Sequence, residues 1–201
     1  MIRHSKDIRT AIKRDDFVVN PLDESNPILM SEWIGQTMQQ LQSQLPFTDY
    51  FGDDAVLVPT PGSSLMRPNT LWVPERISNA LVGRGFGMRV VSCLRRTRAV
   101  PKAAFSLPEN RLKPIDHYGT MEVQANLAPP SEMVLVDDII TRGATLLDAA
   151  NRLSEAFPDT RIRAFVAMRT IGNPDEFVNL LSPAVGTVRY RENQGDTTRD
   201  P

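Results

Sequence analysis

The residues most able to do chemistry lie together at Val134-Leu135-Val136-Asp137-Asp138-Ile139-Ile140-Thr141-Arg142-Gly143-Ala144-Thr145-Leu146. An apolar run ends in two adjacent carboxylates, a short Thr/Gly/Thr loop follows, and a helical pattern begins. The start of a helix carries unpaired N–H groups and a partial positive charge. Gly143 lets the backbone approach a ligand closely, and Thr141 and Thr145 add hydroxyl donors. That combination makes an anion cradle. The two acids repel an anion and suit sugar hydroxyls or a hydrated Mg²⁺ instead. The stretch therefore asks for a sugar phosphate, with the phosphate on the helix end and the hydroxyls on Asp137 and Asp138. The plainer reading is a strand-to-helix turn with a threonine cap and two solvated acids.

The elements around it must position such a site. Ala55 to Val58, Arg89 to Leu94, Met133 to Val136 and Ile162 to Met168 read as strands, and Thr187 to Tyr190 as an edge strand. Ser31 reads as the N-cap of a helix that runs to Leu45 and stops at Pro46. Pro74 to Val82 and Thr145 to Phe157 read as further helices. Strands alternating with helices predict a mostly parallel sheet covered on both faces, with ligands at the carboxyl ends of the strands. Residues 16–29 read as irregular, broken by Pro21 and Pro27. Residues 98–120 read as a long loop, a length usually reserved for function. Three segments result: an N-terminal helical extension or hood over 1–50, a ligand-binding domain over 51–191, and a disordered tail over 192–201.

Composition removes several functions. The chain has 201 residues and a formal net charge of −1, so nothing global drives it toward nucleic acid or an anionic membrane. Its single cysteine, Cys93, can form neither an internal disulfide nor a cysteine zinc cluster. No apolar window has the length of a membrane span, and the first residues lack a signal-peptide core. These features fit a cytoplasmic protein. With only His4 and His117, a histidine-rich metal centre is not expected. Residues 1–14 carry Arg3, Lys6, Arg9, Lys13 and Arg14 against Asp7 alone. They read as a solvated amphipathic helix, or as a contact for nucleic acid or a partner protein.

The strand-loop-helix at 134–146 resembles the phosphoribosyl-pyrophosphate (PRPP) motif of type I phosphoribosyltransferases: four apolar residues, two acids, two apolar residues, then Thr-x-Gly-x-Thr. The resemblance implies that family's three-layer α/β fold and places Asp137 and Asp138 on the ribose hydroxyls. Thr141, Arg142, Gly143, Ala144 and Thr145 would hold the 5′-phosphate. Upstream, Val58-Pro59-Thr60-Pro61-Gly62-Ser63-Ser64 is similar to the pyrophosphate loop of the competence-protein ComF-like branch, which implies Gly62, Ser63 and Ser64 as pyrophosphate contacts. From Arg76 to Lys102 the chain holds Arg76, Arg84, Arg89, Arg95, Arg96, Arg98 and Lys102 without an acid, a suitable partner for a polyanion. By resemblance Arg96 lies near the pyrophosphate. Residues 98–120 take the place of the family's catalytic loop, with Lys102, Arg111, Lys113 and His117 as its candidates.

The resemblance spans roughly residues 55–170. It implies transfer of phosphoribose from PRPP to a small nitrogenous base, with Mg²⁺ carried by PRPP near Asp137 and Asp138, and a homodimer. The ComF-like zinc cluster is absent. Thr141 stands where enzymes of 6-oxopurines carry an acid, which disfavours hypoxanthine or guanine, and Arg142 replaces a small residue. The base-selecting hood is either the helix at 31–45 or the stretch 170–190, with Ile171, Gly172, Asn173, Pro174 and Phe177. A PRPP- or nucleotide-binding regulator without turnover, or a partner subunit of a larger assembly, stays open beside the enzyme. Asp138→Asn is expected to weaken PRPP binding sharply while leaving the fold intact; unchanged affinity by calorimetry would contradict the assignment.

Overall fold

In the computed structural model, residues 5–20, 22–100, 119–124, 128–171 and 181–200 are described. The chain runs α1 (Ser5–Arg14), β1 (Phe17–Asn20), β2 (Asp23–Leu29), α2 (Met30–Gln40), β3 (Val56–Pro59), α3 (Val73–Val82), β4 (Arg89–Val90) and β5 (Leu94–Arg96). It continues with β6 (Met121–Val123), β7 (Glu132–Ile140), α4 (Ala144–Ala156), β8 (Arg161–Arg169), β9 (Thr187–Arg191) and β10 (Asp196–Asp200). Single 3₁₀ turns at Gln42–Gln44 and Thr48–Tyr50 connect α2 to β3.

The central sheet has the order β4-β3-β7-β8, and all its pairings are parallel. Strand side chains alternate between faces, and the alternation divides the core in two. Ala55, Leu57, Val134, Val136 and Phe165 pack on one face with residues of α1, α2 and α3. Val56, Val58, Met133 and Leu135 pack on the other with Leu146, Ala149, Leu153 and Phe157. The fold is thus three-layered α/β, as the strand–helix alternation predicts. Both β3 and Met133 to Val136 of β7 are apolar without interruption because both of their faces are covered.

Three expectations are corrected. Residues 16–29 are not irregular: β1 and β2 form an antiparallel hairpin, pairing Phe17 with Leu29 and Val18 with Ile28. Pro27 is tolerated there because the ladder shifts register between Val18 and Asn20 in a sheet of only two strands. The tail 192–201 is not a disordered tail through residue 200, since β10 pairs with β9 from Asp196↔Arg191 to Asp200↔Thr187. Its polar residues are used inward: Thr197 is buried, and Arg199 donates to the carbonyls of Ile140 (3.2 Å) and Thr170 (2.6 Å). Finally, α2 begins one residue before Ser31. Its N–H at Ser31 is capped by a distant group, the Asp15 carboxylate, at 2.7 Å.

That cap fixes α1. The helix ends in a Schellman arrangement, with Asp16 N–H donating to Ala11 O (3.0 Å) and Asp15 N–H to Ile12 O (3.2 Å). Asp15 takes the left-handed turn position usually given to glycine, at φ 52°. Its buried carboxylate meets both Ser31 N–H and the Arg76 guanidinium (2.9 Å), which offsets the strained backbone. Ala11 and Ile12 are buried in the core beneath. Asp15→Ala is expected to cost about 2 kcal/mol, since it removes two hydrogen bonds to one buried carboxylate; urea unfolding measures it.

Candidate functional site

Strands β3 and β7 run side by side, with Pro59 opposite Val136. The loops that follow them therefore leave the sheet together at its carboxyl edge. Thr60 N–H donates to Val136 O (2.9 Å), and the indole of Trp72 donates to Thr60 O (2.8 Å). The Gly62 carbonyl accepts from Arg96 Nε (2.7 Å), and the Ser63 carbonyl from Val100 N–H (2.8 Å). With these carbonyls engaged, the N–H groups of Gly62, Ser63 and Ser64 have no protein acceptor among the described residues. A Cβ on Gly62 would meet nothing within 4 Å, so this loop has open space beside it.

Strand β7 continues through the two acids to Ile140. Alternation sends Asp137 and Asp138 to opposite faces. Asp138 turns toward the layer of α1, where Lys13 Nζ contacts both its oxygens, at 2.8 Å and 2.6 Å. Ile139 N–H adds a third contact at 2.6 Å. Asp138 is 7% exposed, so this ion pair anchors a nearly buried charge. Asp137 accepts from Asp138 N–H at 2.9 Å. Burial, then the neighbouring Asp138 charge, pushes the Asp137 carboxyl up to about 7; the Thr60 hydroxyl and Lys13 pull the other way.

The turn after β7 completes the cradle. Gly143 is the N-cap of α4, at φ 86°. A Cβ there would lie 2.7 Å from one Val188 methyl and 2.8 Å from the other, so glycine is required by both conformation and space. No side chain caps α4, and among the described residues no acceptor meets the N–H groups of Gly143, Ala144 and Thr145. Thr141 is exposed and Thr145 half-buried. Arg142 is ion-paired with Asp196 at the start of β10.

Residues 134–145 and the 60–64 loop are therefore brought together at one edge, as expected. Of the basic stretch, Arg76, Arg84 and Arg96 are committed to protein partners. Arg76 serves Asp15, and Arg84 pairs with Glu32 (2.8 Å). Arg96 is 2% exposed and donates to Gly62 O and Thr120 Oγ1 (2.5 Å). Its burial lowers the guanidinium pKa, and Asp148 on α4 partly restores it. Arg96 thus holds the Gly62 turn from behind instead of facing an anion. Lys102, Arg111, Lys113 and His117, along with Asn173, Pro174 and Phe177 of the alternative hood, lie outside the described residues.

Sequence reasoning passed over Lys13, Thr60, Asp148 and Asp196. Lys13 sits 125 residues from Asp138, and its only signal is membership of the basic N-terminal helix. Thr60 was findable, being the first polar residue after a buried strand. Asp148 stands on the buried face of α4, where helical spacing expects an apolar residue; burial pushes its carboxyl up to about 7.

No family model matches the chain, and no curated protein matches it. Among solved structures, adenine phosphoribosyltransferase from Saccharomyces cerevisiae, complexed with D-2,5-dideoxy-2,5-imino-altritol 1,6-bisphosphate and adenine, is 16% identical. The match covers 82% of this chain and 89% of that one, with a TM-score of 0.40. A second adenine phosphoribosyltransferase structure is 16% identical over 81% of this chain and 89% of its own, with a TM-score of 0.42.

The raised carboxyls set a pH dependence. Between about pH 4 and 7, Asp137 and Asp148 keep protons in the fold that the unfolded chain has released. The folded chain then binds more protons, so stability falls as pH rises through that window and levels off above it. Urea unfolding from pH 4 to 8 is expected to show this decline, with a shallower slope in Asp137→Asn.

Proposed function

We propose that this chain binds PRPP and transfers its phosphoribosyl group to a small nitrogenous base, releasing pyrophosphate. The observation that carries the reading is the carboxyl edge of β3 and β7. There a carboxyl pair is flanked by two sets of N–H groups that meet no acceptor among the described residues, those of 62–64 and those of 143–145. A ligand with hydroxyls in the middle and an anion at each end matches that order, and PRPP is such a ligand.

In this reading the N–H groups of Gly143, Ala144 and Thr145, with the Thr141 and Thr145 hydroxyls, receive the 5′-phosphate. Asp137 and Asp138 orient the ribose hydroxyls, and Gly62, Ser63 and Ser64 receive the pyrophosphate. Arg96 keeps Gly62 in place. Lys102 and Arg111 are assigned to the loop that covers the reacting centre. The bond from C1′ to pyrophosphate oxygen breaks and a bond from C1′ to nitrogen forms, through a centre with oxocarbenium character. The protein's part is orientation and charge stabilisation. The free donor set suits Mg²⁺ poorly as a resident ion, because Lys13 already occupies both oxygens of Asp138. Mg²⁺ arriving on PRPP would neutralise the leaving group.

Phosphorus NMR of the protein with Mg²⁺, PRPP and a mixture of free nucleobases and small-molecule cell extract tests the proposal. Pyrophosphate is expected to grow above the protein-free control, and not to grow with Asp138→Asn. Broadened PRPP signals without pyrophosphate would replace the enzyme by a PRPP-binding regulator. No change in any signal would overturn both.

A further inference from the structure

We propose that Lys13 is a substrate-binding residue of this site, bridging Asp138 and the pyrophosphate group of the ligand; the inference rests on the PRPP reading above. Lys13 reaches the carboxyl pair from the last turn of α1, and its position is imposed. Residues 11 and 12 are buried beneath it, and Asp15 two residues on is tied to Ser31 and Arg76. The helix end is therefore a fixed post, packed on β7 through Ala11 and Ile12, and the lysine side chain reaches from it to the end of that strand.

An ammonium has three N–H donors and no acceptor. Among the described residues Lys13 makes two contacts, both to Asp138. Its side chain is still 51% exposed, whereas that of Asp138 is 10% exposed. One donor is thus available on the open side of a nearly buried carboxylate. Removing the lysine altogether would leave Asp138 unpaired beside Asp137, a costly arrangement for the protein and a repulsive one for an anion. A ligand with hydroxyls and a polyanion resolves this without displacement. The hydroxyls take the remaining acceptor capacity of the carboxylates while the ammonium turns its third donor to the pyrophosphate.

The 62–64 loop also needs a cation. It offers N–H groups, and the arginine closest to it in sequence logic, Arg96, is spent on Gly62 O and Thr120. Arg76 and Arg84 are spent on Asp15 and Glu32. Thr60, the residue that opens this loop, is held on Val136 O by both its N–H (2.9 Å) and its hydroxyl (3.2 Å), two residues before the acid that Lys13 holds. Lys13 is accordingly a positive charge close to where the carboxyl pair meets the start of the loop.

The test is calorimetric titration of the full chain with two ligands, Mg²⁺–PRPP and ribose 5-phosphate, which lacks the pyrophosphate. Lys13→Met is expected to weaken PRPP by about tenfold or more while moving ribose 5-phosphate by less than about threefold, because the lost contact is charge-assisted and specific to the pyrophosphate. Lys13→Arg should restore most of the PRPP affinity. Lys13→Gln, which keeps a donor for Asp138 without the charge, should behave like Lys13→Met and stands in for it if that variant does not fold. Equal weakening of both ligands would overturn the proposal and leave Lys13 as a support for Asp138 only. Unchanged affinity for both would reduce the contact to an ion pair without a role. A wild-type chain that binds neither ligand would overturn the PRPP reading itself, an outcome visible before any substitution is made.

Discussion

Two carboxyl groups in succession at the end of a buried strand are the constraint on which the rest of this structure turns. Adjacent like charges raise each other's energy, and burial raises both. A β-strand separates them by sending successive side chains to opposite faces. Each face must then supply its own remedy. On one side Lys13 gives Asp138 a full counter-charge. On the other, Asp137 accepts the Asp138 N–H, and its burial beside a second acid lets it retain its proton nearly to neutrality. The N-terminal helix is therefore part of the electrostatic balance of the sheet.

The same edge recruits the C-terminal hairpin. Val188 fills the space that a side chain on Gly143 would need, Asp196 pairs with Arg142, and Arg199 satisfies the Ile140 and Thr170 carbonyls at the ends of β7 and β8. Both ends of the described chain thus converge on the carboxyl end of β7 and the turn that follows it. The turn could not keep a left-handed glycine, an uncapped helix start and an open carboxyl edge without this external support. The turn is held from outside by contacts from distant elements.

The layered architecture was legible because it is written in local periodicity. The uninterrupted apolar runs of β3 and β7 can only be doubly covered strands, and the apolar spacing of α3 and α4 marks the faces that cover them. The carboxyl pair and the glycine turn were legible for a similar reason, since their chemistry is contiguous. What escaped was whatever depends on contacts between distant segments. Arg96 looks like a ligand residue when only its charge and place after a strand are known; its burial against Gly62 and Thr120 follows from packing. The polar tail looks unstructured by composition, yet its backbone pairs with β9 and its arginine finds two carbonyls. The hairpin at β1–β2 hid behind its prolines because a two-stranded ladder with a bulge does not require every N–H.

The short antiparallel pair of β5 and β6 has a consequence for how this chain can change. Leu94 pairs with Val123, Arg96 with Met121, and Thr97 N–H donates to Thr120 O at 2.8 Å. The two feet of the intervening segment are thus stapled to each other, and Arg96 bolts that staple to the Gly62 turn. Closure of the loop is settled at its base, so its length is nearly independent of the sheet. Doubling such a segment costs only about 0.6 kcal/mol of closure entropy. The entropy of closing whatever joins the feet is therefore a small quantity that changes little with its length. The staple, through Arg96, is what couples that stretch of sequence to the Gly62 turn.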